Sequence, residues 1–309
     1  MLGSIILINF NTAQLSLDAI DTITKQTTGF NENYELIIVD NASIEIDFLN
    51  LRNSLNKLNL SNLKLVRSRI NSGFGGGNML GVQEAKGDYY IFINSDALLI
   101  EDSFNKMINF LKENSHIAML GAQSKDGNDK ISKPFDYRIG LRKELFSEVV
   151  LHALFPKTFI DRKQVFTKPT RVGAIPGSLM VCRAADFDAV GGFDTNLFLY
   201  YEEKDVSYRL EKIGKHTYSF PGTIFIHLKG KSTASTYAIK QELKISQFYS
   251  FRKNLGAFKY CIFYTASLFK FMFKSPFSSK NRKLFMWTLR GASLAESLKH
   301  KQQIQPYIE

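Results

Sequence analysis

Between residues 4 and 122 the chain alternates short apolar runs with stretches of helical periodicity. Ser4–Asn9, Tyr34–Asp40, Leu63–Arg67, Tyr89–Ile93 and Ala118–Ala122 have the length and composition of buried strands. Between them, Gln14–Thr28, Asp47–Leu60 and Glu101–Asn114 repeat apolar residues at helical spacing. Alternation at these lengths predicts βαβ units, hence an α/β class with a mostly parallel central sheet flanked by helices. Two of the strands deliver an acid at their carboxyl end: Glu35–Val39 ends in Asp40, and Tyr89–Ile93 runs through Asn94 and Ser95 to Asp96. Ligands of open parallel sheets bind just outside the carboxyl ends of the strands. Two acids at that edge point to a polar ligand, phosphorylated and metal-bound.

Beyond residue 122 the pattern is less regular. Lys125–Lys168 is basic and irregular, with an apolar stretch at Val149–Phe155, and reads as a loop over the site. Val172–Arg183 reads as a strand interrupted at Pro176-Gly177, Tyr201–Ile213 as a helix closed by Gly214, and His216–His227 as a last strand. From Ile239 to about Lys299 the periodicity is helical.

Charge divides the chain. From Lys229 to Glu309 there are 15 Lys and Arg against 3 Asp and Glu, whereas residues 1–228 hold 25 against 26. The basic tail fits nucleic acid or an anionic membrane surface, and its composition favours the membrane. Phe251–Phe277 threads Phe258, Tyr260, Phe263, Tyr264, Phe269, Phe271 and Phe273 between Arg252, Lys253, Lys259, Lys270 and Lys274. The apolar stretch between Lys259 and Lys270 falls short of the roughly 20 residues a bilayer span needs, so it suits a helix lying in the interface. A helix packed on the core with a solvated basic face gives the same pattern. A nucleic-acid partner is not expected, since it leaves the acids of the first 228 residues without a role. Cys182 and Cys261 are the only cysteines, so no disulfide framework is expected and a reducing compartment fits. The first residues lack the basic segment of a secretory leader.

Several side chains suit a site of this kind. Asp96 supplies the hard oxygen that Mg²⁺ or Mn²⁺ prefers, or else caps a turn. Asp40 can accept from a base N–H or a ribose hydroxyl, or again serve a turn. The segment Asn71-Ser72-Gly73-Phe74-Gly75-Gly76-Gly77-Asn78 lacks the Gly-Lys-Ser/Thr ending of a phosphate loop and the third Gly of a dinucleotide fingerprint. It reads as a turn opening a helix, with glycines that let backbone approach a ligand. Glu202, Glu203 and Asp205 open a helix whose dipole favours acids. Three carboxylates within four residues exceed what capping needs, so one can act as general base, and Arg209 lies one turn beyond Asp205. His227 ends the last strand as a metal ligand or a structural histidine.

In order along the chain, Ile8-Asn9-Phe10-Asn11, Val39-Asp40-Asn41-Ala42-Ser43, Asn71–Asn78, Asn94-Ser95-Asp96, Gly191-Gly192-Phe193-Asp194 and Tyr201-Glu202-Glu203-Lys204-Asp205 resemble the family 2 glycosyltransferases, in particular their rhamnosyltransferase-like branch. The match covers roughly residues 4–235. The resemblance implies a GT-A fold at residues 1–235, with a donor half to about residue 100 and an acceptor half from 101 to 235, followed by a basic, aromatic, helical region at 236–309. It implies an inverting hexosyltransferase in bacterial surface polysaccharide synthesis, with a nucleotide-diphosphate sugar donor: deoxythymidine-diphosphate rhamnose first, a uridine-diphosphate sugar second. The acceptor would be a glycan or a polyprenyl-diphosphate-linked glycan, at the inner face of the cytoplasmic membrane. It places donor binding at Asn9, Phe10, Asn11, Asp40, Asn71, Gly73, Phe74, Gly75, Asn78, Asn94 and Ser95. A Mg²⁺ or Mn²⁺ ion falls on Asp96 and His227, and the base on Glu203, Asp205 or Glu202, in that order. Two positions depart from the family pattern: Asn94 stands for the first acid of D-x-D, and Glu203 for the usual aspartate. The competing class is a nucleotide-sugar-binding or scaffold protein of the same fold without catalysis. A processive synthase is not indicated, because the single Trp, Trp287, lies outside a Gln-x-x-Arg-Trp motif.

Overall fold

A computed structural model of the protein describes residues 1–162, 164–228 and 236–308. The first hundred residues form β1 (Gly3–Asn9), α1 (Ala13–Gln26), α2 (Phe30–Asn33), β2 (Tyr34–Asn41), α3 (Glu45–Leu58), β3 (Leu63–Ser68), α4 (Gly73–Val82), β4 (Tyr89–Asn94) and β5 (Ala97–Leu99). Then come α5 (Ser103–Glu113), β6 (Ile117–Lys125), α6 (Leu141–Leu145), α7 (Glu148–Leu154), β7 (Thr170–Arg171), β8 (Leu179–Arg183), α8 (Ala184–Ala189), α9 (Glu202–Lys212) and β9 (His216–His227). The chain closes with α10 (Tyr237–Lys274), α11 (Ser279–Leu289) and two 3₁₀ turns, Leu294–Glu296 and Leu298–Lys301.

One sheet runs through the molecule in the order β3-β2-β1-β4-β8-β6-β9-β5, with β7 on β9. The strands β3, β2, β1 and β4 are parallel, as the βαβ alternation predicts. The rest makes the sheet mixed rather than purely parallel. β8 runs against both β4 and β6, and β5 and β7 run against β9, while β6 and β9 are parallel. The cause is the connection: β6 and β8 are joined by a long irregular segment with no single crossover helix, and only such crossovers impose the parallel sense.

The central strands are apolar on both faces because both are covered. Ile5, Leu7, Leu36, Ile38, Ile91 and Ile93 pack toward α1, α3 and α5, while their neighbours Ile6, Ile37, Val39 and Phe92 pack toward Phe187, Phe193 and Val206. Each such buried side chain contributes roughly 1.5–3 kcal/mol of transfer free energy. A third cluster joins Leu197 and Tyr201 to Phe248, Phe251, Phe263, Leu284 and Trp287 of the C-terminal helices.

Four local expectations change. The glycine-rich segment is not a turn ahead of its helix: α4 begins at Gly73 and contains the glycines. The strand expected at Val172–Arg183 is ordered as a strand only from Leu179, because the backbone turns at Pro176-Gly177 beside Glu203. The segment read as a loop over the site instead buries Leu151, Phe159 and Phe166 in the second core. The long C-terminal helix breaks at Gly256, whose φ of 78° is open to glycine, and doubles back as α11. The boundary expected after residue 235 lies outside the described residues.

Candidate active site

Register brings the strand ends together. Asn9 pairs with Asp40 across β1 and β2, and Ile8 with Asn94 across β1 and β4, so Asp40 and Asn94 stand two strands apart, about 10 Å, on one edge. Asp40 is fully buried. Its carboxylate accepts from Asn9 Nδ2 at 3.0 Å and from the Ser43 amide at 3.3 Å, and Arg67 Nε lies 3.7 Å away. Burial pushes its pKa above the usual range, and the bonds from Ser43 and Asn9 offset part of that. Asn9, also fully buried, therefore orients Asp40 from behind. Asn11 is a brace too: at φ 56° its Oδ1 accepts the Ile44 amide at 2.9 Å. Phe10, 40% exposed, does face the cleft. Arg67 was not foreseen. Its guanidinium lies 3.8 Å over the Phe48 ring and makes no hydrogen bond among the described residues. A second basic residue after Lys64 in a short strand run was its only signal.

The second pole is built by a short ladder. After Asn94 the chain turns through Ser95 and Asp96 into β5, which pairs antiparallel with β9 so that Ala97 faces His227. The Leu228 amide donates to the Asp96 carbonyl at 2.9 Å. His227 Nε2 thus comes to 3.2 Å from Asp96 Oδ1. Two donors about 2.1 Å from one octahedral ion, at right angles, stand about 3.0 Å apart, so the pair fits adjacent corners of a Mg²⁺ or Mn²⁺ shell. Among the described residues no cluster of three or more His, Cys, Asp or Glu is placed to hold a metal. Two protein ligands, with the remaining corners left to a diphosphate and water, are typical of Mg²⁺.

The glycines of α4 serve the protein more than a ligand. The Gly73 amide donates to Asn71 Oδ1 at 2.9 Å and the Phe74 amide to the Phe198 carbonyl at 2.9 Å, while the Gly75 amide faces Glu202. A Cβ on Gly73 would lie 1.9 Å from the Phe198 carbonyl oxygen. The amides of Phe74 and Gly75 are therefore spent on the segment 198–202 and that of Gly73 on Asn71. Gly75 and Asn78 are buried within α4, Asn78 Nδ2 donating to the Phe74 carbonyl at 3.1 Å, whereas Asn71, Gly73 and Phe74 line the cleft.

That segment presents the acids under strain. Tyr200 and Tyr201 both have positive φ, 72° and 74°, rare for a bulky side chain. Glu202 is buried with Oε1 lacking a hydrogen bond among the described residues, and Glu203 is half-buried beside Gly177. A Cβ at Gly177 would lie 2.2 Å from Glu203 Oε1. Burial raises the pKa of both, and the charge of Glu203 raises that of Glu202 further. Asp205 faces away from the cleft. It is fully buried and accepts from Arg209 Nε at 2.8 Å, Lys253 Nζ at 3.0 Å and Asn254 Nδ2 at 2.7 Å, which ties α9 to α10.

A cleft lined by Asn41, Asn94, Ser95, Glu202, Glu203 and His227, among others, but not by the buried Asp40 and Asp96, has a volume of about 630 Å³. That is within the range of small-ligand sites. A second hollow, about 30 Å³ beside Glu144 and Lys244, admits little more than water.

A family model described as glycosyl transferase family 2 matches residues 4–191. The chain belongs to that family. It is 25% identical over 248 residues to the rhamnosyltransferase WbbL of Escherichia coli K12, covering 77% of this chain and 90% of that one. It is 25% identical to a poly(ribitol-phosphate) beta-glucosyltransferase of Bacillus spizizenii over 59% of this chain and 29% of the relative. Among solved structures, the mannosyltransferase PcManGT of Pyrobaculum calidifontis, with GDP-Man and Mn²⁺, aligns with TM-score 0.56 at 14% identity over 95% of this chain and 86% of the other. GalNAc-T7, with UDP, GalNAc and Mn²⁺, aligns with TM-score 0.58 at 15% identity; there 81% of this chain spans half of the other. These likenesses show the GT-A fold: a curled, mixed α/β sheet with a helical C-terminal region.

Proposed function

We propose that the chain is an inverting glycosyltransferase that moves a sugar from a nucleotide-diphosphate donor to a hydroxyl of a glycan, and that the sugar is rhamnose carried on deoxythymidine diphosphate. The observation that carries this reading is the meeting of the buried Asp96 with His227 at 3.2 Å, where His227 lines a cleft that also holds Glu203. The similarity to a rhamnosyltransferase over nine-tenths of that relative's length supports the choice of sugar.

The base and ribose sit at the Asp40–Arg67 pole, with Phe10 against them and Asn41 and Asn71 along the wall. Asp96 and His227 would hold a Mg²⁺ or Mn²⁺ ion, which would supply neutralising charge for the departing diphosphate. Glu203 takes the proton from the acceptor hydroxyl. As its oxygen bonds to the anomeric carbon from one face, the bond to the diphosphate breaks on the other. Glu203 serves here rather than Asp205, which is spent on Arg209, Lys253 and Asn254. Glu202, buried against Gly75, stands behind it.

The chain works at a membrane surface, on the cytoplasmic side where a polyprenyl-diphosphate-linked acceptor is presented. Support comes from the C-terminal hairpin. Phe258, Phe269, Phe273 and Phe277 are 79%, 50%, 70% and 89% exposed. Residues 243–295 carry ten Lys and Arg and no Asp or Glu. Among the described residues no helix is long and apolar enough to cross a membrane.

The test is a panel of nucleotide sugars with and without Mn²⁺, read as release of nucleoside diphosphate. Release from deoxythymidine-diphosphate rhamnose that needs the metal is expected. Release from none of the donors would contradict the proposal.

A further inference from the structure

The segment that carries the glutamates fixes one more side chain. Every carbonyl around it is held: that of Phe198 by the Phe74 amide at 2.9 Å, that of Leu199 by Ser246 Oγ at 2.8 Å, and that of Tyr201 by the Asp205 amide at 2.8 Å. Tyr201 turns into the core it shares with α10, with Lys204 Nζ 4.7 Å over its ring. Tyr200 turns the other way, 36% exposed on the cleft wall, and does so at φ 72°. A left-handed tyrosine costs backbone energy that glycine would not. Such strain persists where the surroundings hold it and clusters at sites that use it. Ile239 and Leu298 of the C-terminal region line the same cleft. Leu298 is seated there by its own amide, which donates to Glu242 Oε2 at 2.8 Å.

Tyr200 precedes Glu202 and Glu203 in one segment, and all three line the cleft. We propose that Tyr200, in a cleft that Ile239 and Leu298 also line, is the platform on which the apolar face of the acceptor's sugar ring stacks, setting one hydroxyl before Glu203. The inference rests on the transferase reading above. A pyranose ring offers a face of C–H groups to an aromatic ring and its hydroxyls to the rim, which is how mostly apolar pockets hold polar ligands.

The probes are methyl α-rhamnoside, methyl β-N-acetylglucosaminide and methyl β-galactoside, each added to the full chain with Mn²⁺ and deoxythymidine or uridine diphosphate. Ligand-detected saturation-transfer NMR reads the contact, and calorimetry reads nucleotide binding. At least one glycoside should be saturated through its ring C–H face with the wild type and with Tyr200→Phe. Its affinity should fall roughly tenfold or more with Tyr200→Gly. Glycine suits the left-handed backbone, so Tyr200→Gly should melt no lower than the wild type and bind nucleotide equally, which separates a lost platform from a lost fold. Equal saturation in wild type and Tyr200→Gly would overturn the platform, as would saturation of none of the glycosides while nucleotide binding persists. Absence of Mn²⁺-dependent nucleotide binding in the wild type would instead remove the transferase reading beneath it.

Discussion

Glu202 and Glu203 are the residues whose surroundings most nearly define the chemistry. Burial raises both pKa values, so the folded chain holds protons that the unfolded chain has released at the same pH. Between the ordinary glutamate range and the raised folded values, stability therefore falls as pH rises. Glu202→Gln should relieve this by replacing a buried ionisable group, whose Oε1 lacks a hydrogen bond among the described residues, with a neutral one. A gain of roughly 1–3 kcal/mol at pH 7 is expected, shrinking as the pH falls into the ordinary glutamate range, where the unfolded chain takes up the proton too. Melting curves across that range check it, and a lower melting temperature at pH 7 would speak against it. Burying an ionisable group at a cost in stability is a mark of functional sites.

At the scale of elements, α9 is the lever and α10 its clamp. The helix that starts with the glutamates is held through Asp205 by Arg209, Lys253 and Asn254, and Arg209 also donates to the Gly192 carbonyl at 2.5 Å. Arg209→Met leaves Asp205 buried with one charged partner fewer and should cost on the order of 3–5 kcal/mol, measurable by urea denaturation. The parallel half of the sheet and α9 were legible in the sequence because two-faced apolar strands and a strongly amphipathic helix announce themselves. The glycine-rich helix was not, because glycine is a poor helix former. Packing overrides that preference where α4 meets segment 198–202 and Ile6, 2.5 Å from where a Cβ on Gly81 would stand. β5 has three residues, too few for a period, yet its ladder to β9 is what sets Asp96 beside His227. Resemblance named that pair; strand pattern alone gives no reason for residues so distant in sequence to meet. Arg67 and Tyr200 escaped for a similar reason, since a second basic residue in a short strand and a strained tyrosine leave no motif.

The whole molecule separates its tasks by charge. A near-neutral α/β body holds the cleft, and a basic hairpin with exposed phenylalanines extends from it. Each Lys or Arg near an anionic leaflet contributes about 1 kcal/mol. Flotation with vesicles containing phosphatidylglycerol should carry the chain upward at low salt and release it as ionic strength rises. Equal behaviour with neutral vesicles, or no flotation, would confine the hairpin to packing.

The central claim, that Glu203 deprotonates an acceptor beside a metal-bound nucleotide-diphosphate sugar, is tested most directly by Glu203→Gln. Turnover of the selected donor with acceptor should fall by about 10² to 10⁴ while calorimetry shows Mn²⁺-dependent donor binding unchanged. Turnover at the wild-type rate in Glu203→Gln would contradict it.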